Sequence, residues 1–165
     1  YPGVEAAVRA GAESREDRMQ EPHGHILIVD DNEDNSHIFA TYLEHAGHRV
    51  TSAATGPEGL ARAAAERPDL MLLDLNLPGL DGWEVARRIK HDPQLARISI
   101  VIVTAHHDPA NAFLARELGC AELLEKPIEP RLLLDAVRRY LRARGADAAS
   151  IEPSSSAERE APPPA

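Results

Sequence analysis

The sequence predicts an α/β domain built on an open, parallel, five-stranded sheet with helices on both faces. Strand-like apolar runs alternate five times with segments of helical periodicity. Three of these runs are apolar almost without interruption: HILIV at 25–29, DLMLL at 69–73 and ISIVIV at 98–103. Continuous apolar runs indicate strands that are covered on both faces, as in parallel sheets whose crossover helices pack on either side.

The first two strand–helix units have clear boundaries. HILIV (25–29) is the first strand, and the helix that follows it stops at Gly47. RVTSA (49–53) is a short second strand, and the helix over 55–68 opens with Thr55 as its cap. The apolar residues of the first helix recur at helical spacing: Ile38, Phe39, Tyr42, Leu43 and Ala46.

The third and fourth units carry helix-start signals. The strand at 69–73 is followed by a helix whose start has a capping-box pattern, Asp81 with Glu84. The strand at 98–103 is followed by a helix that starts at Asp108 and a proline. Each signal places a polar cap directly before apolar residues at helical spacing.

The fifth unit completes the alternation. AELLE (121–125) is the last strand, and a final helix follows Glu129 and a proline. Right-handed crossovers leave few topologies for five such units, so we expect a flavodoxin-like (βα)5 sheet. One face of the final helix is apolar: Leu133, Val137, Tyr140 and Leu141.

The two ends of the chain differ in composition from the part between them. Residues 1–24 have little apolar periodicity, and residues 147–165 are rich in Pro, Ser, Ala and Glu. Neither segment can bury enough surface to offset its ordering entropy, so we expect two disordered tails around a domain at 25–146. About 19 residues after this domain are too few for an output domain, which predicts a stand-alone module.

Composition excludes several classes of protein. No apolar run is long enough to span a membrane, and one cysteine, Cys120, cannot form a disulfide within the chain. These features predict a soluble, cytoplasmic protein. The net charge of −9 and the lack of a Lys/Arg stripe predict no nucleic-acid and no membrane partner.

Polar side chains stand where four of the predicted strands end: Asp30 and Asp31, Asp74, Thr104, and Lys126. If the sheet has the 2-1-3-4-5 order, the first and third strands are neighbours and the three carboxylates converge. Two carboxylates about 4 Å apart repel by about 4 kcal/mol at an effective dielectric near 20. Three of them therefore need a cation or a raised pKa to coexist, and Mg²⁺ is the expected cation.

These residue types together suit a phosphoryl group. A divalent cation and the Lys126 ammonium would neutralise its oxygens, and the Thr104 hydroxyl could bond one of them. Asp74 could attack phosphorus and become an aspartyl phosphate. Taken singly, each residue has an ordinary explanation as a helix cap or a surface charge; only their joint placement predicts the site.

Four segments resemble the receiver domain of two-component response regulators. They are ILIVDDNEDN, LMLLDLNLPGLDG, IVTA and EKP, and the resemblance spans residues 25–144. It implies the strand order 2-1-3-4-5, with Asp74 as the phosphoacceptor. It also implies Mg²⁺ bound directly by Asp31, Asp74 and the backbone carbonyl of Asn76, with Asp30 acting mainly through water.

The resemblance also implies how such a site is switched. Lys126 would contact the phosphoryl group, Thr104 would move toward it, and the Lys126–Pro127 bond would be cis. The donor would be a phosphohistidine on a sensor histidine kinase or histidine phosphotransfer protein, or a small acyl phosphate. A downstream protein would read the surface of the fourth helix, fifth strand and fifth helix. On that surface we expect exposed Arg116, Glu117, Arg138, Arg139 and Arg142.

Four residues outside the predicted site bear on how it would work or how it packs: His106, His107, Leu123 and Trp83. Leu123 stands where the family usually has an inward-turning Tyr or Phe, so the aromatic half of the usual switch is missing. Two residues beyond Thr104, His106 is expected to affect the lifetime of the phosphoryl group. With His107 it could form a metal-ligand pair, but adjacent loop histidines without a third ligand are typical of solvent-facing positions. Trp83 is expected to be half-buried.

The sequence thus predicts a phosphorylation-controlled signalling module that catalyses only its own phosphorylation and dephosphorylation. One alternative is a phosphatase-like enzyme that works through an aspartyl phosphate. Such enzymes usually carry an acidic residue two positions after the nucleophile, where this chain has Asn76, which cannot act as a general acid. The other alternative is a non-switching receiver used as a scaffold, which Leu123 leaves open.

Overall fold

A computed structural model describes residues 23–106 and 108–149, with side chains described as far as residue 147. Most of the two predicted tails, and His107, lie outside the described residues. The part of the N-terminal tail that is described is held in place. Gly24 donates its N–H to His48 Nδ1 at 3.3 Å, and its carbonyl accepts from the N–H of Arg49 at 3.0 Å.

Five parallel strands form one sheet in the order β2-β1-β3-β4-β5, which confirms the predicted fold. Each strand begins and ends within two residues of its predicted bounds. The register aligns Val29 with Leu73 across β1 and β3, so these two central strands end at the same level. The strands are β1 (His25–Val29), β2 (Arg49–Ala53), β3 (Leu70–Leu73), β4 (Ser99–Thr104) and β5 (Glu122–Glu125).

Among the described residues, five helices connect and follow the strands. The first four begin at side-chain caps, in which Asn32, Thr55, Asp81 or Asp108 accepts a backbone N–H of the first turn. The last helix runs three residues past the boundary predicted at residue 146, because alanines favour continuation of a helix. The helices are α1 (Glu33–His45), α2 (Gly56–Glu66), α3 (Gly82–His91), α4 (Pro109–Glu117) and α5 (Pro130–Ala149).

Two apolar cores lie on opposite faces of the sheet. Leu27 and Val29 of β1 point into a core shared with α2, α3 and α4, which we call the α2–α4 core. Ile26 and Ile28 point the other way, into a core shared with α1 and α5, the α1–α5 core. The strands are thus buried on both faces, as their continuous apolar runs predict.

The predicted apolar face of α1 is wrong at one residue. Phe39 and Leu43 are buried, and Tyr42 and Ala46 pack at the edge of the α1–α5 core, but Ile38 is 51% exposed. At about 100° per residue, Ile38 lies about a third of a turn from the centre of the buried face. Ser36, which the apolar pattern omits, occupies that face instead.

Candidate functional site

The carboxyl ends of β1 and β3 place two aspartates side by side. The N–H of Asp74 donates to the carbonyl of Val29 at 2.9 Å, which continues the pairing of the two strands. Asp30 is 5% exposed and Asp74 is 7% exposed, whereas Asp31, one residue further, faces solvent. The apolar strands hold the two buried carboxylates rigidly, and the loops after them leave the third accessible.

Asp30, Asp31 and Asp74 form what we call the carboxylate cluster. One carboxylate oxygen from each lies within 4.8 Å of the others. Oxygen donors of this charge and spacing fit a hard divalent cation such as Mg²⁺, which binds through one or two carboxylates and keeps several waters. The cluster predicted from the strand order therefore comes together in space, with a donor set that could hold a metal ion.

Lys126 supplies positive charge to the buried side of this cluster. It follows β5, and its Nζ donates to Asp30 Oδ2 at 2.7 Å and to Asp74 Oδ2 at 3.0 Å. Burial alone would lower the pKa of Lys126, but hydrogen bonds to the two carboxylates and their charges outweigh burial and raise it. Lys126 is therefore a protonated partner for two carboxylates that are almost fully removed from water.

Thr104 and Asn76 border the cluster through backbone contacts. The Thr104 side chain is fully buried at the end of β4, and its Oγ1 accepts the N–H of His106 at 3.2 Å. The carbonyl of Thr104 accepts the N–H of Lys126 at 2.8 Å, so the ends of β4 and β5 are tied together. Asn76 donates its N–H to Asp74 Oδ1 at 3.0 Å, which places its backbone beside the cluster.

The remaining residues singled out in the sequence lie around this centre. The side chain of Leu123 packs against the α2–α4 core and that of Leu124 against the α1–α5 core. Trp83 is half-buried against the α2–α4 core, as expected. His106 is exposed in the loop after β4. The Lys126–Pro127 peptide bond is cis, as the resemblance implies.

Gly82 packs closely against the backbone beside Asp74, which the sequence did not indicate. A Cβ at this position would lie 2.4 Å from the carbonyl oxygen of Asp74 and 2.7 Å from Cα of Leu75, closer than real Cβ atoms approach. Gly82 is the first residue of α3 and has no positive φ, so it is not needed for its conformational freedom. A glycine at a helix start with ordinary backbone angles indicates close packing, and here it lets α3 pack against the backbone of Asp74 and Leu75.

Comparison with known proteins agrees with this geometry. The model of the response regulator receiver domain family matches residues 26–138. The chain belongs to this family. As a receiver domain it is a phosphorylation-controlled signalling module, and members of the family act as signalling phosphoacceptors. Within the part of the chain described here, no helix combines the length and apolar character needed to cross a membrane.

Individual receiver proteins are identical to this chain at about a third of the aligned positions. Protein PilH of Pseudomonas aeruginosa is 33% identical, and the match covers 70% of this chain and 96% of PilH. Response regulator PleD of Caulobacter vibrioides is 38% identical over a match that covers 71% of this chain. The same match covers only 26% of the length of PleD. The structure of chemotaxis protein CheY4 of Vibrio cholerae is 28% identical, with a TM-score of 0.68 over 72% of this chain and 99% of CheY4.

Proposed function

We propose that Asp74 accepts a phosphoryl group from a phosphohistidine donor and that the modified domain then changes its affinity for a protein partner. The observation that carries this proposal is the joint contact of Lys126 Nζ with Asp30 and Asp74, beside carboxylate oxygens spaced for a metal. Positive charge is thus already positioned where a phosphoryl group on Asp74 would place its oxygens.

In the transfer step, a carboxylate oxygen of Asp74 attacks phosphorus in line with the leaving imidazole. The P–N bond of the phosphohistidine breaks, and the imidazole leaves with its electron pair as an acyl phosphate forms. Lys126 neutralises one phosphoryl oxygen, and Thr104 can donate its hydroxyl to another. Mg²⁺, held by Asp31, Asp74, the Asn76 carbonyl and, through water, Asp30, would supply the remaining neutralisation.

Hydrolysis completes the cycle on the same residues. Water attacks phosphorus of the acyl phosphate, the bond between phosphorus and the carboxylate oxygen breaks, the Asp74 carboxylate is regenerated and inorganic phosphate leaves. Asn76 and His106 flank this attack from the loops after β3 and β4, and they affect the lifetime of the phosphoryl group. The domain therefore catalyses only its own phosphorylation and dephosphorylation.

The donor in this proposal is a sensor histidine kinase or a histidine phosphotransfer protein. The partner downstream is a protein that docks on the surface of α4, β5 and α5, where Arg116, Glu117 and Arg139 are exposed. The net charge of −9 opposes anionic partners such as nucleic acid or membrane lipid. Because such donors and partners act in the cytoplasm, the proposal includes a cytoplasmic location.

Intact-mass measurement tests the proposal. Incubated with Mg²⁺ and acetyl phosphate, the protein is expected to gain the mass of one phosphoryl group, and Asp74→Asn to gain none. Asp135→Asn, which removes an exposed carboxylate of α5, is the matched control and should be labelled like the wild type. Steady turnover of phosphate esters would favour the phosphatase alternative, and no labelling at all would favour the scaffold.

A further inference from the structure

The hydroxyl of Thr104 is held by the backbone that follows β4. The Thr104 side chain is fully buried, and its Oγ1 accepts the N–H of His106 at 3.2 Å. A hydroxyl has two acceptor lone pairs and a single hydrogen to donate. The His106 N–H occupies one lone pair, so the hydrogen of Thr104 stays available for an acceptor such as a phosphoryl oxygen. The position of residue 106 therefore bears directly on where this hydroxyl lies.

Asn111 holds residue 106 from the other side. Its Nδ2 donates to the carbonyl of His106 at 3.3 Å. Asn111 belongs to the first turn of α4, which Asp108 fixes in place: the Asp108 carbonyl accepts the N–H of Asn111 at 2.9 Å, and its Oδ1 accepts the N–H of Ala110 at 2.9 Å. Two hydrogen bonds thus lead from a fixed helix start, through His106, to Thr104.

The helix itself does not account for an asparagine at position 111. The backbone N–H of Asn111 is already paired with Asp108, and Asp108 is also the side-chain cap of α4. Asparagine favours a helix less than alanine does. The ordinary explanation is a surface amide that bonds the nearest carbonyl, and it predicts no effect at Thr104 when the amide is removed.

We propose that Asn111 is a positioning residue for the Thr104 hydroxyl. Its amide holds the His106 carbonyl, and this keeps the His106 N–H on Thr104 Oγ1. The consequence for signalling rests on the function proposed above, in which Thr104 moves toward a phosphoryl group on Asp74. Residue 106 follows Thr104 through the bond between them, so the contact with Asn111 must lengthen or break. A contact made in only one of two states favours that state, so Asn111 opposes the movement.

Beryllium fluoride provides the test, because with Mg²⁺ it binds an aspartate carboxylate in the tetrahedral shape of a phosphoryl group. The full chain is titrated with it at constant Mg²⁺, and binding is followed by fluorine nuclear magnetic resonance. We expect Asn111→Ala to bind it about threefold more tightly than the wild type, since a hydrogen bond that opposes the bound state is gone. Glu117→Ala, at an exposed position of the same helix, is the matched control and should bind it like the wild type.

A double-mutant cycle separates positioning from a general effect on the fold. Thr104→Val keeps the shape of the side chain and removes the hydroxyl, so adding Asn111→Ala to that variant should change the affinity by less than about 1.5-fold. Equal affinities of Asn111→Ala and the wild type, or the same gain in the Thr104→Val background, would overturn the proposal.

A measurement on the unmodified chain separates this proposal from the one above. Exchange of the His106 amide hydrogen with solvent reports its bond to Thr104 Oγ1 and needs no metal or phosphoryl group. We expect exchange to be about threefold faster in Asn111→Ala and unchanged in Glu117→Ala. Unchanged exchange in Asn111→Ala would refute the positioning role. If neither acetyl phosphate nor beryllium fluoride reacts with Asp74, the function proposed above fails, while this exchange rate still decides whether Asn111 positions Thr104.

Discussion

Lys126 resolves the electrostatic difficulty of burying two aspartates. Asp30 and Asp74 each lose nearly all contact with water, and an unpaired buried carboxylate is strongly destabilising. The ammonium of Lys126 lies within hydrogen-bond distance of both. It thereby holds the site together before any phosphoryl group arrives, and its contacts must rearrange when one does.

We therefore expect Lys126→Ala to bind Mg²⁺ at least as tightly as the wild type but to lose the conformational response. The variant keeps all three carboxylates and removes a cation that competes for two of them. Titration with Mg²⁺, followed by the fluorescence of Trp83, measures the binding, because Trp83 is the only tryptophan and follows the glycine that touches Asp74. Hydrogen exchange before and after acetyl phosphate measures the response.

A response of wild-type size in Lys126→Ala would reject the role given to this residue. The control is Asp31→Asn, which leaves the Lys126 pairs in place and removes the exposed carboxylate of the cluster. It should weaken the Mg²⁺-dependent change in fluorescence.

Gly82 and Gly145 make a matched pair of glycines with opposite expected outcomes. Gly82→Ala forces the backbone of Asp74 to move, and overpacking of this kind costs about 1–3 kcal/mol of unfolding free energy. It should also slow labelling by acetyl phosphate. Gly145, inside α5, has nothing within 4 Å of an added Cβ, so Gly145→Ala should stabilise by about 0.5–1 kcal/mol. Denaturant unfolding measures both, and a neutral Gly82→Ala would contradict the packing argument.

Among the secondary-structure elements, β1, β2 and α2 are joined by a polar cluster at the end of the sheet opposite Asp74. His25 Nε2 lies 3.0 Å from Thr51 Oγ1 and 3.2 Å from Glu66 Oε2, and Thr51 donates to Glu66 at 2.8 Å. Burial, and then the charge of Arg49, lower the pKa of His25, although Glu66 and Asp69 oppose the shift. The neutral imidazole is therefore the form that the fold favours.

This lowered pKa predicts that acid weakens the junction. The unfolded chain binds a proton at His25 near pH 6.5 and the folded chain only at lower pH, so stability is lost as pH falls below that value. One such group contributes a slope of at most about 1.4 kcal/mol per pH unit. His25→Asn should flatten the dependence of unfolding free energy on pH, whereas His37→Asn, on the exposed face of α1, should not. Equal slopes in both variants would contradict this assignment.

The sequence predicts the strands better than the helix faces. Continuous apolar runs predict β1, β3 and β4 to within two residues, because a strand covered on both faces is apolar at nearly every position. The predicted buried face of α1 wrongly includes Ile38, because Ile38 and Tyr42 also lie about one helical turn apart. Only the packing against the sheet shows which side of the helix is buried. Apolar periodicity does not predict the strand order either. The order 2-1-3-4-5 is implied by the resemblance to receiver domains.

The carboxylate cluster is predictable from the sequence because each member lies within two residues of the end of a strand. The role of Gly82 is not predictable, since it depends on a backbone contact between α3 and the end of β3. Close approach of this kind is a property of the assembled fold.

At the scale of the whole molecule, the two cores and the site have separate tasks. The α2–α4 core and the α1–α5 core hold the sheet from both sides, and the carboxylate cluster, Thr104 and Lys126 lie where four strands end. Lys126 follows β5 and donates to Asp74, so it links β5 to the end of β3 without a contribution from either core.

Chemical trapping of the modified residue tests the central claim most directly. Borohydride reduces an acyl phosphate of aspartate to homoserine, so protein treated with Mg²⁺ and acetyl phosphate can be reduced, digested and analysed by mass spectrometry. We predict homoserine at position 74 and at no other aspartate, and none when Mg²⁺ is removed by a chelator. Homoserine at Asp30 or Asp31, or aspartate unchanged at position 74, would contradict the account.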